Sequence, residues 1–254
     1  MSVNHRAIEA LYEGAAEAWI RHEPSSLSDF TARPIVLEMC SPCAGARVLD
    51  LGCGEGYCSR QLRSSGAREV LGIDLSEGMI AAAIGEELRR PLGIHYRRGD
   101  ATDLEDLESE GYDLVVAVFL FNYLTRDAMR ICMREVRRLL RPGGRFVFSV
   151  SHPAFPFMRA PAPPCYFDLA SETYYAACDH RFFGKVWKRD GVSLDVQVVH
   201  KTLEDYFTAL RRAGFECMPE LRELGVTPEM VQLDREFFGP LLGFPLHLAL
   251  GIVR

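Results

Sequence analysis

Two carboxylates and three glycines crowd one short stretch of the chain. In residues 48–62, VLDLGCGEGYCSRQL, an apolar run reaches the acid Asp50, then crosses Gly52, Gly54 and Gly56 at alternate positions beside Glu55 before helical spacing resumes. A glycine-rich turn between a strand and a helix lets a ligand lie against the backbone, and its free N–H groups favour anions. Here the spacing is GxGxG, whereas a turn that holds a dinucleotide pyrophosphate reads GxGxxG. Asp50 and Glu55 would repel a pyrophosphate at close range. The turn suits a cationic, phosphate-free ligand, with Asp50 at its positive end and Gly52 and Gly54 against its body.

Other residues could serve the same ligand or its reaction partner. Asp74, eighteen residues beyond Gly56, closes a second apolar run, VLGIDLS. An acid at such a strand tip can accept both hydroxyls of a ribose, or can cap the following helix. Asp100, in RRGDATDL, stands at a third tip or is a turn acid. His152 follows the fifth strand in Ser-His-Pro, where Pro153 holds the chain extended. It is the candidate general base for a protonated acceptor; the alternative is an imidazole that caps a backbone group or shapes the pocket. Nothing fixes His180 or His200 near such a site, and His95 lies within a strand. Cys40-Ser-Pro-Cys43 is the one CxxC; without a second ligand pair at similar spacing, no metal is expected.

These groups need elements to position them. Residues 1–45 read as an N-terminal helical cover, with helices over 7–21 and 30–40. Strands follow at 47–51, 69–74, 94–98, 112–119 and 145–151, interleaved with helices at 57–64, 78–89 and 126–140. Near-continuous apolar runs around Val48, Val70, Leu114 and Phe146 suit parallel strands covered on both faces. The alternation predicts an α/β fold, a Rossmann-like doubly wound sheet with helices on both faces, within a single domain over 1–254. Residues 152–191 differ: five prolines and nine aromatics point to an ordered insertion after the fifth strand, since a disordered linker would be poor in rings. Beyond it the sheet pattern returns, with a strand at 193–201, a helix at 202–214 opened by a capping box at Thr202 and Asp205, and an apolar run at 237–253.

Composition narrows the function. A formal charge of −6 with a pI near 5.7 argues against an extended nucleic-acid footprint. The Arg-rich stretch REVRRLLR reads as the solvated face of a helix. The N-terminus lacks the basic start and apolar core of a signal peptide, and no run reaches membrane-span length. Eight scattered cysteines without an export signal suggest reduced thiols in a cytoplasm. A small-molecule partner, acting on a monomer or homodimer away from nucleic acid and membrane, is the expectation.

S-adenosylmethionine is a ligand of the kind Asp50 calls for: it carries an ammonium and a sulfonium and no phosphate. VLDLGCGEG resembles the first motif of the class I S-adenosylmethionine-dependent methyltransferases, and the resemblance continues over most of the sheet. It implies a seven-stranded sheet and a cofactor site built from Asp50, Gly52, Gly54, Gly56 and Asp74. Leu75 and Met79 would flank the adenine, Asp100 and Ala101 would read its amino group, and Phe119 in VVAVFLFNYL would sit under the sulfonium end. LRPGGRFVFSV is similar to the turn and fifth strand of the family. LYEGAAEAW resembles a helix that folds over the cofactor, with Tyr12 joining His152 as a catalytic candidate and Trp19 facing the substrate or packing in the core.

The implied activity is methyl transfer to an O, N or C atom of a small acceptor, with S-adenosylhomocysteine as product. Rings in the 152–191 insertion, among them Phe155, Tyr166, Phe182 and Trp187, would wall a planar or hydrophobic metabolite, or would pack the insertion onto the sheet. A macromolecule methyltransferase is disfavoured by FLFNYL, which lacks the Pro-Pro-aromatic run of adenine-modifying enzymes. A regulatory S-adenosylmethionine binder remains the alternative.

Overall fold

The alternation of apolar runs and helical stretches folds as strand and crossover helix in turn. The computed structural model describes residues 19–21, 23–169 and 172–254. In chain order the first elements are α1 (Leu27–Thr31), α2 (Arg33–Met39), β1 (Arg47–Leu51), α3 (Tyr57–Ser64), β2 (Glu69–Asp74), α4 (Glu77–Arg89), β3 (His95–Arg98) and β4 (Tyr112–Val118). There follow α5 (Arg126–Leu139), β5 (Leu140–Ser151), β6 (Cys165–Asp168), β7 (Arg181–Trp187) and β8 (Ser193–Val199). The last are α6 (Leu203–Arg212), β9 (Glu220–Leu224), α7 (Pro228–Leu233), α8 (Arg235–Phe238) and β10 (His247–Val253).

The main sheet has seven strands in the order β3-β2-β1-β4-β5-β10-β9. The first five run parallel, while β10 is antiparallel to both β5 and β9. Consecutive strand residues serve opposite faces, as the pleat demands. Leu49, Val115, Phe146 and Phe148 pack with Met129, Met133, Val136 and Leu139 of α5 on one side. Val48, Leu114, Val116 and Val147 pack with Val36 and Met39 of α2 on the other. In α5 the apolar residues recur three and four apart, which turns one stripe to the sheet. Its N-terminus is closed by Thr125 Oγ1, which accepts from Ala128 N, and Arg137 and Arg138 stand in its last turn. The capping box read at Thr202 and Asp205 is formed at the start of α6.

Three differences from the sequence reading have local causes. The single helix expected over 30–40 is two, because Ala32 leaves the helical region at φ −124° and Pro34 opens α2. The strand at 193–199 does not rejoin the main sheet: β8 pairs antiparallel with β7, and β7 with β6, in a separate three-stranded sheet. The second sheet therefore extends past residue 191, and its strands β6 and β7 lie in a stretch whose prolines and rings obscured any alternation. Strand β9, ELREL, carries three charges in five residues because it is the edge of the main sheet. Of the helix expected over 7–21, only residues 19–21 are described.

The small sheet has its own core. Phe155, Phe167, Phe182, Val196 and Val198 pack with Leu27 of α1 and with Phe237 and Phe238 of α8. This arrangement sets the second sheet and α1 against the end of the main sheet where β1, β2 and β4 finish.

Candidate active site

The tips of β1, β2 and β4 open into one cavity, roofed by α1 and the small sheet. Asp50, Gly52, Gly54, Asp74, Leu75, Met79, Asp100, Ala101 and Phe119 all line it, as does Trp19. Gly56 does not; at φ +82° it starts α3, and a Cβ there would run into the Tyr96 hydroxyl. Tyr12 lies outside the described residues.

The turn after β1 spends its amides on the protein. Gly52 N and Cys53 N donate to Ile73 O at 2.8 and 3.1 Å, Gly56 N donates to Cys53 O, and Gly54 N donates to Asp74 Oδ2 at 2.8 Å. A phosphate-binding turn keeps such groups free; this one does not. Glu55 is occupied as well, held by Arg21 Nε at 3.0 Å and Arg60 Nη2 at 2.6 Å. The repulsion expected from two open carboxylates therefore comes from Asp50 and Asp74 alone.

Asp50 is 1% exposed, and Ser59 donates to it from its hydroxyl, 2.6 Å from Oδ2, and from its backbone. Burial raises its carboxyl to about 6 against the opposing Ser59 bonds, and the nearby Asp74 and Glu55 charges add to the rise. Asp74 accepts Ser76 N on Oδ1 and Gly54 N on Oδ2, and burial likewise raises it despite those bonds. Asp100 accepts the N–H and hydroxyl of Thr102, the turn role set beside its ligand role in the sequence reading.

A nucleoside with a cationic tail fits this donor set. Asp50 holds an uncompensated buried carboxylate beside the turn, which an ammonium would neutralise. A Cβ on Gly54 would meet no protein atom within 4 Å, so the backbone there is bare toward the cavity. Arg21 and Arg33 stand across from the acids. They share Asp29, whose carboxyl burial pushes up but Arg33, Arg21 and the Ser26 and Ser25 amides together hold at about 2. The Arg33 guanidinium lies 5.5 Å from the centre of the Phe119 ring, and Phe119 itself takes a left-handed φ of +63° at the end of β4.

His152 is not at the cavity wall. Its Nδ1 accepts Ala154 N at 3.1 Å, which leaves the proton on Nε2 to be donated to Glu223 Oε1 at 3.0 Å. Both nitrogens are used in fastening the exit of β5 to β9, so the backbone-capping alternative is the one found. Phe155, Tyr166, Phe182 and Trp187 are also absent from the lining; Phe155 and Phe182 are core, and Tyr166 packs on Trp187 at 5.9 Å. The small sheet instead offers Cys165, Phe167, Val186, Val196 and Gln197.

Sequence reasoning missed Arg21, Arg33, Gln197 and His247, all of which line the cavity. His247 opens β10 opposite Ser151 of β5, which brings a residue near the end of the chain to the ligand edge of the sheet. The only sequence signal was its place within the last apolar run, 237–253.

The comparisons with known proteins agree with this geometry. Residues 48–144 match a family model described as a methyltransferase domain. The chain is 30% identical over 152 residues to the ubiquinone biosynthesis O-methyltransferase of Pseudomonas savastanoi pv. phaseolicola, covering 59% of this chain. It spans 64% of the length of that relative, and 57% of the namesake from Alkalilimnicola ehrlichii, to which it is 27% identical. An S-adenosylmethionine-dependent methyltransferase from Mesorhizobium loti superposes with a TM-score of 0.65 at 29% identity, over 87% of this chain and 96% of that one. The CcbJ methyltransferase from Streptomyces caelestis shares the fold at a TM-score of 0.64 and 21% identity, over 96% of this chain and 97% of its own. Residues 48–144 thus match a methyltransferase domain, and in sequence and fold the chain is similar to S-adenosylmethionine-dependent methyltransferases of class I.

Proposed function

We propose that this chain transfers a methyl group from S-adenosylmethionine to an oxygen, nitrogen or carbon atom of a small, planar or hydrophobic metabolite. The observation that carries the reading is the pairing of Asp50 and Asp74 in one cavity wall while the turn amides between them are tied to protein acceptors. That pattern favours a cationic nucleoside over a phosphate-bearing one. The O-methyltransferase name of the Pseudomonas relative supports oxygen as the atom modified.

When bound, S-adenosylmethionine supplies an electrophilic methyl on a positively charged sulfur, so no protein nucleophile is required. Asp50 would hold the ammonium, Asp74 the ribose hydroxyls, and Leu75 and Met79 the faces of the adenine beside Asp100 and Ala101. Phe119 and Leu120 would wall the reacting end. Above them Phe167, Val186 and Val196 of the small sheet, with Leu27 and Trp19, give apolar surface that excludes water from the acceptor. Fixing two reactants in such a cavity can lower a barrier by about 7–11 kcal/mol. The residues 1–45 and 152–191 act in this reading as covers, the second extended by β8. The acceptor is a small molecule, met by a monomer or homodimer without nucleic acid.

Calorimetry with S-adenosylmethionine and with NADH, followed by transfer of a labelled methyl group to a panel of planar metabolites, tests the reading. Binding of NADH with no binding of the sulfonium compound would overturn it.

A further inference from the structure

Two side chains in the cavity wall carry polar atoms with no partner among the described residues. Gln197, on β8, is 3% exposed. Arg181 Nη1 donates to its Oε1 at 3.0 Å, and a guanidinium has no acceptor, so the amide oxygen must face Arg181. The Nε2 of Gln197 is left buried with two N–H groups and no acceptor, in a residue that lines the cavity. A donor so placed costs about 1–3 kcal/mol until something accepts from it.

His247, on β10, is 8% exposed. Its Nδ1 lies 3.0 Å from Thr31 Oγ1, and Thr31 Oγ1 is 2.9 Å from Leu27 O. A carbonyl oxygen can only accept, so the threonine hydrogen goes to Leu27, and Thr31 must in turn accept from Nδ1–H. That fixes the tautomer: Nε2 carries a lone pair. No described residue donates to it. Burial, with the Arg33 charge adding to it, lowers the imidazolium to about 3, which keeps the ring in this neutral form across the physiological range.

One atom can only accept and the other can only donate, and both belong to the wall of one cavity. His247 comes from the main sheet beside Phe119, 5.2 Å between ring centres, and Gln197 from the small sheet above. We propose that His247 and Gln197 are the polar recognition groups for the methyl acceptor. The acceptor is then a small molecule that presents an O–H or N–H to His247 Nε2 and a hydrogen-bond-accepting oxygen, such as a ring carbonyl, to the Gln197 amide. This rests on the proposed methyl transfer and narrows it: the modified atom is a protonated oxygen or nitrogen, oriented by His247 as a positioning residue, with the apolar walls around it.

The test uses the full chain with S-adenosylhomocysteine bound and nitrogen-15 labels in histidine and glutamine. NMR of the protein without a second ligand should find His247 protonated at Nδ1 only; protonation at Nε2 overturns the inference. Addition of 3,4-dihydroxybenzaldehyde should move both the His247 Nε2 and the Gln197 amide signals, whereas benzaldehyde, which lacks the O–H, should move only the second. Gln197→Leu should weaken binding of the dihydroxy probe about fivefold, the worth of one hydrogen bond. Gln197→Glu, which replaces the donor by an acceptor, should weaken it further. Affinity for S-adenosylhomocysteine controls for folding. If neither signal moves up to the solubility limit of the probe, the inference fails while the cofactor reading stands; if S-adenosylhomocysteine itself does not bind, the proposed function fails first.

Discussion

Gly54 N donates to Asp74 Oδ2 at 2.8 Å, tying the glycine turn after β1 to the tip of β2. The residue read from sequence as a ribose ligand thus also shapes the loop that would receive the rest of the nucleoside. Asp74→Ala removes the bond that sets the turn and two charge-assisted bonds to a ribose. Such bonds are worth about 1.5 kcal/mol each. Affinity for S-adenosylmethionine should fall about 100-fold by calorimetry, and unchanged affinity would show that the ribose lies elsewhere.

Asp50 makes the site dependent on pH. Its folded-state carboxyl, about 6, lies above the ordinary 3.8, so the unfolded chain gives up its proton first as pH rises. The free protein therefore loses stability between about pH 4 and 6 and does not regain it above, a difference of roughly 3 kcal/mol for two units. Asp50→Asn, which keeps an acceptor for Ser59, should raise the melting temperature at pH 8 and leave it nearly unchanged at pH 4. The same substitution should weaken cofactor binding, and in the native protein that affinity should decline as pH falls through 6. A variant no more stable at pH 8 than the native chain would mean that Asp50 is not buried as a charge.

At Gly54 the backbone and the ligand make separate demands. The φ of +55° costs a side chain about 1–2 kcal/mol, and more when it is β-branched. A Cβ would nevertheless clash with nothing in the protein. Gly54→Ala should fold, with a modest drop in melting temperature. Gly54→Val should lose cofactor binding by more than its stability loss explains, because the added methyls fill the space against the bare backbone. Equal losses in both measurements would assign the glycine to the fold alone.

What could be read from sequence depended on how locally each feature is encoded. Strands β1 and β2 and helix α3 begin and end at the residues expected, because continuous apolar runs punctuated by glycines and acids leave one solution. Asp50 and Asp74 could be proposed as ligand groups from those boundaries, since strand tips converge on one edge of an open sheet, whereas Leu75, Met79, Asp100, Ala101 and Phe119 were named from the resemblance to methyltransferases. The small sheet was not legible: β6 is four residues long and directly follows a proline-rich stretch, and β7, RFFGKVW, sets two rings side by side and so shows no alternation. His247 and Gln197 were missed for a different reason. Each is defined by a partner far off in sequence, Thr31 and Arg181, and by what lies open on its other side. Spacing along the chain carries no record of such pairs.

His152 lies in the expected segment, with its side chain already committed to other groups. Its Nδ1 holds Ala154 N and its Nε2 holds Glu223, so it joins the end of β5 to the edge strand β9. Glu223 is largely exposed, so the Nε2–H bond to it is worth little in water. The part-buried backbone N–H of Ala154 matters more, because its loss of a partner costs about 1 kcal/mol. His152→Ala should therefore lower thermal stability by about that amount, while cofactor affinity and the shape of any pH–rate profile stay as in the native chain. His152→Asn, whose side-chain oxygen can accept from Ala154 N, should recover most of the stability. A profile that lost its acidic limb in His152→Ala, with melting temperature unchanged, would return this histidine to the role of base and count against the assignment of acceptor recognition to His247.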